Sequence, residues 1–136
     1  MASNRFEGKV ALVTGTTSGI GKATALRLAS EGAKVAVTAR REEKLKELVL
    51  EIEGAGGSAF AVPGDLTNAS DRKRLVDETV AQYESLDILV NAAGIIAFGT
   101  IEDTSLEVWQ KMFDINVVSV FHLMQLALPH IIPRKG

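Results

Sequence analysis

The sequence predicts an α/β fold in which a parallel sheet lies between two layers of helices. Three observations carry this: short apolar runs without polar alternation, an amphipathic stretch after each of the first three, and a glycine-rich turn where the first run meets the first stretch. A strand covered on both faces needs no polar side. A helix that covers it needs one apolar stripe.

Residues 9–14, Lys9-Val-Ala-Leu-Val-Thr14, form the first such strand and open into glycine. Residues 20–30 follow as a helix whose apolar face is Ala23, Leu26, Leu28 and Ala29, with Gly32 where a helix commonly ends. Residues 35–39 repeat the buried-strand pattern. Residues 42–53 form a charged helix with Leu45, Leu48, Val49 and Ile52 on one side, broken by Gly54-Ala-Gly-Gly57. A third strand is expected at residues 58–62, a third helix at 68–83 with Leu75, Val76, Thr79 and Val80 inward, and a fourth strand at 86–91. Thr104-Ser-Leu-Glu107 has the spacing of a capping box, so a further helix should start there, bend after Trp109 and Phe113, and run to about residue 132. The order is βαβαβαβ with a helical end.

At 136 residues the chain fits one domain, 46% apolar and 24% charged, as a folded protein should be. A formal charge of -2, with no long basic patch, argues against nucleic acid. The absence of cysteine excludes a disulfide framework and thiolate metal sites. His122 and His130 lack clustered ligands, so no metal site is expected and both read as packing or surface residues. Nothing near the start resembles a signal peptide, which leaves the cytoplasm as the expected compartment.

The chemistry is concentrated in the first turn. Gly15-Thr-Thr-Ser-Gly19-Ile-Gly21 places glycines where a dinucleotide fold needs them: one for the tight turn, one for close approach of a pyrophosphate, one for helix packing. The N-H groups of the helix start and its dipole favour an anion there. An ordinary glycine turn is the alternative, and the βαβ context weighs against it. Gly21-Lys22 does not make the other common phosphate loop. That loop would need a glycine in place of Thr16 and a Ser or Thr in place of Ala23.

Thr14-Gly15-x3-Gly19-Ile-Gly21, Asp65-Leu66, Asn91-Ala-Ala-Gly94 and Asn116, in this order and over nearly the whole chain, resemble the short-chain dehydrogenase/reductase family. The resemblance implies a three-layer Rossmann-type sheet ordered 3-2-1-4. Residues 1–136 would form a partial NAD(P)-binding domain whose expected fifth to seventh strands are absent. It implies a phosphate cradle running from Gly15 through Thr17, Ser18, Gly19 and Ile20 to Gly21. Asp65 and Leu66 would lie beside the adenine, Asn91, Ala92 and Ala93 would support the central strand and ribose, and Gly94 would leave room for the nicotinamide half. Asp65 could equally close a strand-end turn, and Asn91 could serve only as a structural hydrogen-bonder.

Cofactor choice is read after the second strand, where such folds usually carry an acidic residue for the ribose 2′-hydroxyl. Here the chain reads Thr38-Ala39-Arg40-Arg41. No carboxylate stands there to repel a 2′-phosphate, and two guanidinium groups can grip one, so NADP is expected over NAD; the alternative is a solvated helix start, where two cations would be mildly unfavourable.

Catalysis is where the chain departs from the family, whose Ser and Tyr-x-x-x-Lys lie beyond the fourth strand and are missing here. Tyr83 has Asp87 four residues on and reads as packing or as capping a helix end. Asn116 matches the family's helix asparagine, implied to hold a water in the proton relay, or else marks a helix bend. The expectation is therefore the cofactor half of an NADP-dependent oxidoreductase acting on an alcohol or carbonyl, truncated and inactive alone. The alternative is a non-catalytic nucleotide-binding or self-associating product. The last helix, residues 117–132, is apolar around most of its circumference, which implies burial on more than one side. Sixteen residues, interrupted by His122, Gln125 and Pro129, are expected to be too short and polar for a membrane. The family resemblance makes this helix a subunit contact, the alternative being that it packs only against its own sheet; an unpaired edge of the sheet invites a second contact, so a homo-oligomer is expected.

Overall fold

The computed structural model describes residues 3–136. Its elements are β1 (Val10–Thr14), α1 (Gly19–Ser30), β2 (Lys34–Thr38), α2 (Glu42–Gly54), β3 (Ser58–Ala61), α3 (Ala69–Tyr83), β4 (Ile88–Val90), α4 (Leu106–Phe113) and α5 (Ser119–Ile131). The sheet is parallel and ordered β3-β2-β1-β4. Val13 is the pivot of its register, paired with Val37 on one side and Val90 on the other.

Successive side chains of a strand point to opposite faces, and the two cores follow from that. Ala11, Val13, Val35 and Val37 face α1 and α2, where they meet Ala25, Leu28, Leu45, Leu48 and Ile52. Val10, Leu12 and Ala36 face the other way, onto Leu75 and Val76 of α3 and Leu123 and Ala127 of α5. Truncating a fully buried member such as Leu12 or Leu75 to alanine is expected to cost about 2–5 kcal/mol.

Several expected details are corrected. On α1 the buried small residue is Ala25, and Ala23 is exposed. The cap of α4 is Ser105, whose hydroxyl accepts from Val108 N-H, while Thr104 donates to the Thr100 carbonyl; the cap is shifted by one residue, and with Val108 at the third helical position the reciprocal half of the expected box is lost. The bend before α5 is a π-turn, Asp114–Val118, that leaves the helix continuous. The rod is therefore 29 residues, Leu106–Arg134, with a window of mean hydropathy 1.6, and by length and composition alone it is sufficient to cross a membrane. The expectation that it is too short fails because a π-turn does not interrupt a helix as a break would. In this fold its inner side packs on the sheet through Leu123 and Ala127. Burial on more than one side is not seen: Phe121, Met124 and Leu128 are exposed.

The far end of α5 is tied back to the sheet. Arg134 donates to both carboxylate oxygens of buried Asp87, at 2.9 and 3.3 Å, and to the Gly8 carbonyl. Val10 N-H also donates to Asp87, at 2.9 Å. Burial pushes the Asp87 carboxyl up, but Arg134, this N-H and Lys9 outweigh it and hold it below the usual carboxylate range.

Candidate functional site

A cleft of about 620 Å³ opens over the C-terminal ends of the strands, the position that such sheets reserve for ligands. Its floor is the turn after β1. Gly15 has φ +65°, and a Cβ there would lie 2.7 Å from Ala93 Cα, so the backbones following β1 and β4 touch through a residue that has to be glycine. Thr14 completes this floor: its hydroxyl oxygen accepts from the N-H of Ala92 and of Ala93, each at 3.1 Å.

Of the residues expected from sequence, Gly15, Thr17, Ser18, Arg40, Arg41, Asp65, Leu66, Ala92, Ala93 and Gly94 line the cleft. Gly19, Ile20, Gly21, Asn91 and Asn116 do not line it. Gly19 and exposed Ile20 form the first turn of α1, whose N-cap Ser18 makes no side-chain capping bond. The Ser18 hydroxyl and the leading N-H groups of α1 are thus left for an anion. Gly21 packs beneath the turn. Thr38 Oγ1 is buried, at the edge of the cleft, without a hydrogen-bond partner among the described residues. Glycine cradle, uncapped helix start, orphaned hydroxyl and cationic rim together fit a dinucleotide phosphate chain.

The rim is cationic. Arg40 and Arg41 are exposed beside partly buried Ala39 at the end of β2, and neither forms an ion pair among the described residues. Lys44 of α2 lines the same end. Asp65 stands opposite. It accepts from the Thr67 N-H at 2.9 Å and the Thr67 hydroxyl at 2.7 Å, and these bonds hold its carboxyl below the usual range against the effect of burial, with Arg40 and Lys111 adding to them. Asp65 does close a strand-end turn, with its oxygen Oδ1.

Asn116 lies inside the π-turn, a local widening that recurs at functional sites. Its Oδ1 accepts from Ile95 N-H at 2.9 Å and its Nδ2 donates to the Ile95 carbonyl at 2.7 Å. This side chain clamps the loop that follows β4, and so sets the position of Gly94 and Ile95 at the cleft. Tyr83 is remote from the cleft. It packs edge-on to Phe60 with ring centroids 6.4 Å apart, and burial raises its phenol, opposite to what a general base requires.

Sequence gives Thr14 only as the first residue of the glycine motif and Thr38 only as the neighbour of Ala39, because a threonine ending a buried strand carries no local signal of a site. Lys44 was legible in hindsight, one helical turn from Arg40 on a first turn otherwise acidic at Glu42 and Glu43.

The family model for short chain dehydrogenases matches residues 9–136. Dehydrogenase/reductase SDR family member 4 of Caenorhabditis elegans is 41% identical over 140 residues, covering 100% of this chain and 54% of that protein. An uncharacterized oxidoreductase of Thermotoga maritima is 44% identical over 131 residues, covering 96% and 51%. The crystal structure of a short chain dehydrogenase from Burkholderia cenocepacia in complex with NADP superposes with a TM-score of 0.90 at 39% identity, covering 94% of this chain and 53% of that one. The chain spans about half the length of the relatives it matches. Matched in sequence almost from end to end, and in structure over 94% of its length, it belongs to the short-chain dehydrogenase/reductase family and carries the N-terminal half of that fold.

Proposed function

We propose that this chain forms the cofactor half of an NADP-dependent oxidoreductase that moves hydride between NADP(H) and an alcohol or carbonyl. The observation that carries NADP over NAD is the cleft end built from Ala39, Arg40, Arg41 and Lys44, three cations with no carboxylate where a 2′-hydroxyl would need one. When bound, the nicotinamide supplies the carbon that gives or takes the hydride. Ser18 and the leading N-H groups of α1 hold the pyrophosphate, and the Gly15–Ala93 contact fixes the floor beneath it. Arg40 and Arg41 grip the 2′-phosphate, Asp65 and Leu66 wall the adenine, and Asn116 holds Ile95 so that Gly94 leaves space at the nicotinamide end. The Ser and Tyr-x-x-x-Lys that the family resemblance assigns to proton transfer are not among these 136 residues. The isolated chain is expected to bind NADP without oxidising alcohols.

Titrating NADP and NAD into wild type and Arg40→Asp tests this. The substitution should weaken NADP far more than NAD, and equal losses would sink the assignment. Turnover by the purified 136 residues would overturn the expected inactivity.

A second reading is favoured by the exposed row Trp109, Phe113, Val117, Phe121, Met124 and Leu128, together with the edge position of β4. In it, the chain binds nucleotide without chemistry and assembles with itself through these surfaces. A monomeric sedimentation profile at high concentration would exclude it.

A further inference from the structure

Arg72 is a buried cation without a carboxylate. It is 6% exposed, and it takes part in none of the ion pairs among the described residues. It is also the fourth residue of α3, at the end of the helix where the dipole disfavours positive charge. Burying a guanidinium there is costly unless its donors meet well-placed acceptors. Two acceptors are present, and both are neutral. Nη1 donates to the Leu66 carbonyl at 2.6 Å, and Nε donates to His122 Nδ1 at 2.8 Å. Leu66 walls the cleft, and His122 belongs to α5, fifty residues further along the chain.

We infer that Arg72 and His122 are positioning residues for the adenine end of the cleft, which α5 holds in place through them. His122 must be neutral at Nδ1 to accept, and its proton is therefore on Nε2. With Nε anchored on α5, the rigid guanidinium has one orientation left, and that orientation points Nη1 at Leu66. The same turn is pinned from α3 by Asp71, which accepts from Asp65 N-H at 2.8 Å. Asp65 and Leu66 are thus both held directly from α3, and α5 bears on Leu66 through Arg72. The inference rests on the nucleotide reading of the cleft only for the ligand; the geometry of the turn can be tested without one.

The experiment uses the full 136-residue chain, with adenosine 2′,5′-bisphosphate and nicotinamide mononucleotide as probes and amide hydrogen exchange at Thr67 and Asn68 as a ligand-free readout. His122→Leu removes the acceptor. His122→Asn keeps one near the position of Nδ1. His122→Leu should weaken the bisphosphate about tenfold, leave the mononucleotide unchanged and speed exchange at both amides; His122→Asn should restore all three to within about threefold. Unchanged bisphosphate affinity in His122→Leu, an equal loss for both probes, or no rescue by asparagine overturns the inference. If wild type binds neither probe, the nucleotide reading fails by itself. The exchange rates then decide alone: faster in leucine and restored in asparagine supports the positioning role, and no difference overturns it.

Discussion

Gly21 packs against Gly15 with no room for a side chain between them. A Cβ on Gly21 would lie 2.7 Å from the Gly15 carbonyl carbon and 2.9 Å from the Thr14 oxygen, so the helix start and the turn are held in direct backbone contact. Gly21→Ala must push them apart, at a cost of about 1–3 kcal/mol. Urea denaturation should show this loss, and NADP titration a weaker complex. Gly54→Ala, with open space around it, serves as the control and should cost nothing. Equal behaviour of the two variants would contradict this account of the turn.

Thr14 carries the joining of β1 and β4 past their last register pair, Val13 with Val90, into the loop after β4. Thr14→Val keeps the shape but leaves the N-H groups of Ala92 and Ala93 without their acceptor, for a loss of about 1–3 kcal/mol. Thr14→Ser retains the oxygen and should lie much closer to wild type in the same urea experiment. Serine and valine variants of equal stability would show that this oxygen does not matter.

In the proposed NADP reading, Ala39 stands where a carboxylate would face the ribose. Ala39→Asp should weaken NADP by tenfold or more, on the order of 1.4 kcal/mol, through repulsion of the 2′-phosphate, and should strengthen NAD. Isothermal titration with each cofactor measures both changes, and an unaltered ratio of affinities would place the 2′-phosphate elsewhere.

Glu31 makes stability depend on acid pH. Hydrogen bonds from Arg5 and Arg27 lower its carboxyl to about 2, from an ordinary 4.5. A carboxyl depressed in the folded state stabilises fully above its unfolded value and loses that contribution as pH falls. The window therefore runs from about pH 4.5 down to about 2. Thermal unfolding followed across that window should fall less steeply for Glu31→Gln than for wild type; parallel slopes would remove Glu31 from the acid response.

The strands and the first three helices are legible because each is long enough to show its period; Asn68, expected as the first residue of the third helix, is its cap instead, where its side chain accepts from Ser70 and Asp71 N-H. Strand order was available only through the family resemblance, since apolar runs do not say which neighbour they choose. The end of the chain was least legible. A π-turn has no sequence signature, so α4, the turn and α5 read as a bent pair instead of one rod. In the cleft, residues carrying a glycine or charge signal were readable, whereas Thr14 and Arg72 act through partners tens of residues away, and local pattern does not contain such pairs.

The Asp87–Arg134 bond spans 47 residues, and that separation has a kinetic side. As the chain leaves the ribosome, β1, β2, β3 and the helices between them can settle while Arg134 has yet to be made. Asp87, at the threshold of β4, would then have to enter the sheet with only Val10 N-H and Lys9 to offset the burial of its charge. Seating of the fourth strand is therefore expected to be slower until Arg134 is in place. Arg134→Ala should slow the final phase of refolding in stopped-flow experiments, and an unchanged rate would separate the two events. A slower phase would identify the buried carboxylate as a checkpoint that couples completion of the sheet to the arrival of the helical end.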